Sequence, residues 1–434
     1  MMPEGRELRA GFGRRTINAP VGTVMDGPRA AGGTTGCHDD LFVRALWLEQ
    51  GTRQIALIGL DLLYAERHTV DRLKGAVSRR LGLRADEVLL NFSHTHAPPA
   101  FSHWAYGNVP DHLYIEQVEA ALVEALTEAR SGLQPARLFA GQAQTRLPVS
   151  RRRPNASGQI EFRPNPQAEV CTALPFFLVK DARDAVLSLV FSASCHPSII
   201  FLHDTSADYP GAAVAALNGH FGTEGGLFLQ GAGGDAKPRQ IVAVATSGSP
   251  VEWRQGDWHD VEAAGQEVAA EVIARAAEAR EVQPDLRVFL GDIAFPLCAP
   301  PTCAELDHVA DPRPTRKLWV ADMKRRLDFL GRLPASAPVA LHAVRLGDGL
   351  RLIGLEAEVT GEVGNLILRH FPMGVTFPLG YTNGTQFYLP SDKQLAEGGY
   401  ETESCWEYHW PANLAPGIDA RISQALARLK DANI

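Results

Sequence analysis

"QIALIGLDLLYAERHTVDRLKGAVSRRLGLRADEVLLNFSHTHAPPA" occupies residues 54–100 and holds the pattern on which the fold turns. Residues 54–63 are an apolar run of strand length. Val70, Leu73, Val77 and Leu81 then recur at helical spacing, and Gly82 follows as a C-terminal cap. "EVLLNFS" at 87–93 reads as a second buried strand. Strand, helix and strand in this order predict a β-α-β unit whose two strands run parallel. His94 and His96 come at the C-terminal end of the second strand, where α/β proteins place their sites. Side chains alternate along a strand, so these two imidazoles would share one face, about 6.5–7 Å apart. The pair reads either as metal ligands or as two hydrogen-bonded core histidines.

The theme recurs along the chain. Residues 185–194 read as a strand, 209–222 as a short helix with proline at its start, and 226–230 as another strand. Val261, Ala264, Val268, Val272 and Ala276 stripe a helix before a strand at 286–295. The two passes suggest an internal duplication. "VALHAVRLGDGLRLIGLEAE" at 339–358 reads as a hairpin turning at Asp348-Gly349, followed by a helix to about residue 370 and a strand at 374–380. The expectation is an α/β fold of mixed, largely parallel sheets with flanking helices, forming one domain over residues 1–434. Stretches 150–170, 231–258 and 296–315 read as long irregular loops, which often carry function.

Composition narrows the functional classes. The chain has 434 residues, 45% hydrophobic and 21% charged, with a net charge of −8. That balance argues against a nucleic-acid surface, which needs a clustered basic excess. No basic n-region followed by an apolar h-region opens the sequence, and no apolar run is long enough for a membrane span. The six scattered cysteines read as reduced thiols, and the expected location is the cytoplasm.

Further candidates stand where strands end. His196 follows an apolar strand within "SASCHPS", and Glu358 lies within "GLEAEVT". Tyr381 and Tyr388 lie in "GYTNGTQFYLP". Alone, each reads as a structural residue; together they would converge on one mouth. Two histidines and one carboxylate make a zinc ligand set that leaves room for water and substrate. Gly231, Gly233 and Gly234 in "FLQGAGGDAKPR" offer N–H donors to an oxyanion or phosphate, or form a tight turn. The Gly-Lys-Ser/Thr ending of a P-loop is absent, as is the G-x-S-x-G of a nucleophile elbow. Asp208 is either a helix cap or a partner that orients a histidine.

Taken together, these stretches resemble the catalytic domain of neutral/alkaline (non-lysosomal) ceramidases, a family of zinc-dependent amidases. The resemblance rests on "AGFGRRTINAPVG" at 10–22, "FSHTHAPP" at 92–99, "SRR" at 150–152, "CHPS" at 195–198, "SADYPGAA" at 206–213, "GAGGD" at 231–235, "EAEVT" at 356–360 and "YTNGTQFYLP…EGGYE" at 381–401. These are collinear and span nearly the whole chain. The resemblance implies zinc ligands at His94, His196, Glu358 and Tyr388. It implies a second-sphere acid or hydrogen-bond donor at His96, and a substrate-binding arginine at Arg151 or Arg152. Tyr400 would also reach the pocket, and His103, Trp104 and Tyr106 are entrance candidates. Gly231 stands where the family has a serine. The family's C-terminal β-sandwich and secretion signal have no counterpart in the 434 residues, which makes lipid ceramide a poor substrate expectation.

The expected activity is cleavage of an amide or ester bond of a small molecule by a zinc-bound hydroxide. Gly231 and its neighbours, or His96, would stabilise the oxyanion, with Asp208 in support. Two rivals are a zinc-dependent phosphoesterase and a non-catalytic, metal-stabilised binding protein.

Overall fold

The computed structural model describes residues 7–27, 32–103, 107–243 and 251–434. Three sheets dominate it. The first runs in the spatial order Val88–Phe92, Arg53–Leu60, Phe42–Gln50, Leu8–Thr16, Gln134–Pro135. The second runs Gly226–Gln230, Val186–Ala193, Ala173–Lys180, Arg137–Gln144, Arg280–Val282. The third runs Pro284–Pro296, Ser336–Gly347, Leu350–Leu355, Val375–Leu379.

Each of these sheets contains one parallel pair, at one edge, and its other neighbours are antiparallel. The expectation of largely parallel sheets is therefore corrected. The connections explain it. Gly51, at φ +61°, turns the chain directly from Phe42–Gln50 into Arg53–Leu60, and a direct turn produces an antiparallel pair. A parallel pair forms only where a helix intervenes.

There are three such units rather than two. We label them β1 (Arg53–Leu60), α1 (Arg67–Leu81) and β2 (Val88–Phe92); β3 (Val186–Ala193), α2 (Asp208–Phe221) and β4 (Gly226–Gln230); and β5 (Leu350–Leu355), α3 (Gly361–His370) and β6 (Val375–Leu379). Gly82 caps α1 with φ +79°, as its place in the sequence predicts.

Strand alternation assigns the two faces of each sheet to different cores. Ile55, Leu57 and Leu89 of the first sheet meet Val190, Leu227 and Leu229 of the second and Leu352 and Phe377 of the third in one central core. Ile58, Leu60, Leu90 and Phe92 point outward, under α1 and the helix His112–Ser131. Leu189, Phe191 and Phe228 point outward under α2 and Trp258–Ala276. Ile353 and Leu355 belong to a core with α3 and the helix Ile418–Asp431. Burial on both faces is why these strands read as unbroken apolar runs. Leu57 is fully buried in the central core, and its truncation to alanine would cost about 2–5 kcal/mol.

The three parallel edges converge. Asn91, fully buried near the end of β2, donates through Nδ2 to Gly380 O (2.8 Å) and accepts the Gln230 amide through Oδ1 (2.6 Å). One side chain thus ties β2 to the ends of β4 and β6. The segment 150–170, expected to be irregular, instead holds an antiparallel pair, Pro148–Pro154 with Ile160–Asn165, joined on its other side by Ala236–Pro238. Among the described residues no helix is long and apolar enough to cross a membrane.

Candidate metal centre

The C-terminal ends of one strand in each unit, β2, β3 and β5, carry the histidines and the glutamate to one place. β2 ends at Phe92, and His94 lies beyond it with φ +64°. The expected strand alternation of His94 and His96 is corrected: a left-handed residue in a loop, not the pleat, sets their directions. Both still face one cavity, with ring centroids 5.0 Å apart. His196 follows β3, and its ring lies 4.8 Å from that of His94. The ring nitrogens of His94, His96 and His196 reach within 4.8 Å of one another.

The hydrogen bonds fix which nitrogen is available. His94 Nδ1 is 2.9 Å from the Leu63 carbonyl, and His196 Nδ1 is 2.7 Å from the Gly233 carbonyl. A carbonyl only accepts, so each Nδ1 carries the proton and each Nε2 presents its lone pair; that of His196 also has Arg151 Nη1 at 3.5 Å. Both Nε2 atoms lie 3.3 Å from the same oxygen, Glu358 Oε2. His94 Nε2 is buried and makes no hydrogen bond. Two lone pairs thus face a carboxylate with no proton between them, an arrangement that a cation resolves. Burial pushes the His196 imidazole down to about 4, and Arg151 beside it acts in the same direction, so the ring stays neutral near pH 7.

Glu358 is oriented from its other side. Tyr381 donates to Oε2 at 3.1 Å, and Tyr408 donates to Oε1. Glu358 pairs in parallel with Tyr388, whose ring lies near-parallel to that of His196 at 6.4 Å. The cavity, about 140 Å³, is lined by His94, His96, His196, Glu358, Tyr388 and Arg151, with Tyr400, Ser198, Phe201 and Lys237 farther round.

Several expectations change. Arg151 lines the cavity; its guanidinium lies over the rings of Tyr388 (5.1 Å) and Tyr400 (5.5 Å) and bonds Glu401 Oε1 at 2.7 Å. Arg152 instead bonds Glu401 Oε2 (2.7 Å) and the Gly398 carbonyl (2.8 Å), so it anchors the neighbouring chain and is not a cavity residue. Gly231 lies outside the cavity. Its amide donates to Ala193 O, that of Gly233 to Gly231 O and that of Gly234 to Val359 O, so the expected oxyanion cradle has no donors to offer. A Cβ at Gly231 would sit 2.6 Å from Ser194 Oγ, so a serine there would force Ser194 to shift. Asp208 touches no histidine. Its carboxylate accepts the amides of Ile199 (3.0 Å), Ile200 (3.1 Å) and Tyr209 (2.7 Å), which holds the loop after His196. His103 lines a separate cavity with Glu66, Tyr408 and His409. Trp104 and Tyr106 lie outside the described residues. The sequence reading missed Tyr408 and Lys237, which reach the site only through pairings between distant parts of the chain.

Comparison with solved structures matches the fold to a known architecture. The crystal structure of neutral ceramidase from Pseudomonas aeruginosa superposes with a TM-score of 0.75 at 18% identity, covering 99% of this chain and 75% of that one. The chain has the neutral-ceramidase fold. A ceramidase complexed with C2 matches similarly, with a TM-score of 0.74, 18% identity and coverage of 99% of this chain and 76% of that one. No protein-family model and no curated protein matches. The ceramidase fold is thus kept at a sequence identity too low to carry its chemistry across, and function must be argued from the site.

Proposed function

We propose that this chain is a zinc-dependent hydrolase that cleaves an amide or ester bond of a small substrate. The observation that carries the reading is that the buried Nε2 atoms of His94 and His196 both lie 3.3 Å from Glu358 Oε2. His94, His196, Glu358 and Tyr388 would hold the ion. Zinc, when bound, supplies Lewis-acid polarisation and nucleophilic water at neutral pH. Leu63 and Gly233 keep the two imidazoles in the ligating tautomer through their carbonyls. Tyr381 and Tyr408 hold the Glu358 carboxylate in place. His96 faces the same cavity and is the group placed to donate to the reacting carbonyl oxygen or to the leaving group. Arg151, fixed by Glu401, orients the substrate, and Tyr400 closes the wall beside it.

A second reading has a specific observation behind it. The three ring nitrogens within 4.8 Å of one another also fit a three-histidine ion site, with His96 as a ligand. Zinc-loaded protein should be tested on matched small amides, esters and phosphoesters, beside His96→Ala. The proposal expects amide or ester turnover, lowered about 10²–10⁴-fold in His96→Ala with the zinc retained. Loss of zinc in that variant would favour the second reading. Turnover of phosphoesters alone would sink the amidase assignment.

A further inference from the structure

One part of the cavity lining offers donors without acceptors. Lys237 lies there on the short strand Ala236–Pro238, which pairs with Pro148–Ser150, just before Arg151. Its Nζ stands over the rings of Phe201 (5.1 Å) and Trp253 (5.4 Å). Among the described residues no carboxylate pairs with it, whereas Arg151 has Glu401. Ser198, on the same wall, has a buried Oγ with no hydrogen-bond partner. Trp253 Nε1, beside Lys237, is also buried and unpartnered. Buried donors of this kind cost free energy unless an acceptor meets them.

Phe201 connects this cluster to the metal centre. Its ring meets Lys237 on one side and lies 5.7 Å from the His96 ring on the other. An ammonium group is thus one aromatic ring away from the imidazole that faces the reacting bond. Burial, with Arg151 adding to it, pushes Lys237 down to about 8. An anion beside it would reverse that shift. The cavity volume of about 140 Å³ is well below the roughly 300–1,000 Å³ of drug-sized ligand pockets, so the bound part of the substrate is small.

Resting on the hydrolase reading above, we propose that the substrate is a small N-acyl or O-acyl compound bearing a carboxylate, and that Lys237, with Ser198, binds that carboxylate while the scissile bond faces His96. A cation on a flexible stem, flanked by two aromatic rings, suits a carboxylate oxygen. Specificity for the acid over its neutral analogue then comes from the unmatched donors left behind when the analogue binds.

The test uses binding of two probes of the same shape, N-acetylglycine and N-acetylglycinamide, to the full chain by titration calorimetry, with and without added zinc. The expected result is N-acetylglycine bound about ten-fold or more tighter, in line with a hydrogen bond to a charged group. That preference should fall to within about two-fold in Lys237→Gln and return in Lys237→Arg. Equal binding of the two probes, no binding of N-acetylglycine, or a preference unchanged in Lys237→Gln would overturn the proposal. The readout needs no turnover. An acid preference in a protein that takes up no zinc would leave the Lys237 site standing and remove the hydrolase reading. Zinc-dependent turnover without an acid preference would do the reverse.

Discussion

Replacing Glu401 by glutamine probes the wall that holds Arg151 in the cavity. Glu401 is 2% exposed and binds Arg151 Nε through one oxygen and Arg152 Nη1 through the other, each at 2.7 Å. Glu401→Gln keeps the size of the side chain but removes the charge that both buried guanidinium groups face. Breaking a buried pair from one side costs about 3–5 kcal/mol, because the remaining charge is left uncompensated. At about 2.1 cal/mol/K per residue, 434 residues unfold with an entropy of about 0.9 kcal/mol/K, so Tm should fall by about 3–6 °C. Scanning calorimetry reads this directly. The effect carries a pH signature. Burial works to raise the Glu401 carboxyl, but Arg151 and Arg152 hold it below the usual glutamate value. A depressed folded pKa stabilises above the unfolded pKa and loses that contribution as pH falls through the folded value. The gap between wild type and Glu401→Gln should therefore be constant above roughly pH 5.5 and shrink on acidification. A variant within 1 °C of wild type at neutral pH, or a gap that widens in acid, would refute the reasoning.

Three further outcomes follow from the same geometry. Gly231→Ser should lower stability by about 1–3 kcal/mol in denaturant titration without raising turnover, because its Cβ meets Ser194 Oγ at 2.6 Å outside the cavity; a more active variant would contradict that placement. Asn91→Ala leaves the Gln230 amide without its acceptor and unties β2 from the ends of β4 and β6, at a cost of about 1–3 kcal/mol and with weakened zinc retention on dialysis; full retention would mean that the tie does not position the ligands. Tyr408→Phe removes one of the hydrogen bonds to Glu358 and should weaken zinc affinity about 10–100-fold in competition with a chelating dye, with helix content unchanged; an unchanged affinity would remove Tyr408 from the site.

The sequence was most legible where burial on both faces wrote continuous apolar runs between helical stripes. β2, β3, α2 and β4 stand within one residue of their expected bounds because Pro210 and the strand-ending polar residues punctuate them, and Gly82 ends α1 as expected, whereas β1 stops at Leu60, three residues short. Strand direction was legible only where a helix or the tight turn at Asp348-Gly349 joins the strands. A fully buried strand has the same composition whichever way its neighbour runs, and the antiparallel partners are set by short turns such as Gly51-Thr52. Within the site, His94, His196 and Glu358 were legible because each follows the end of a strand. Arg151 and Arg152 could not be told apart, since their opposite fates depend on the irregular pairing of Ser150 to Arg152 with the next strand. Lys237 and Tyr408 carry no local signal at all. Lys237 joins the cavity through its strand's pairing with Pro148–Ser150, and Tyr408 through a bond to a residue 50 positions earlier.

The central claim is that the Nε2 atoms of His94 and His196, with Glu358, hold a zinc ion. Metal content by mass spectrometry on native protein, purified without a metal-affinity tag, tests it beside a His94→Ala, Glu358→Ala double variant. The account predicts about one zinc per chain in the wild type and almost none in the double variant. A folded wild type that stays free of metal after zinc is offered would contradict it, and would leave His94 and His196 as hydrogen-bonded core histidines.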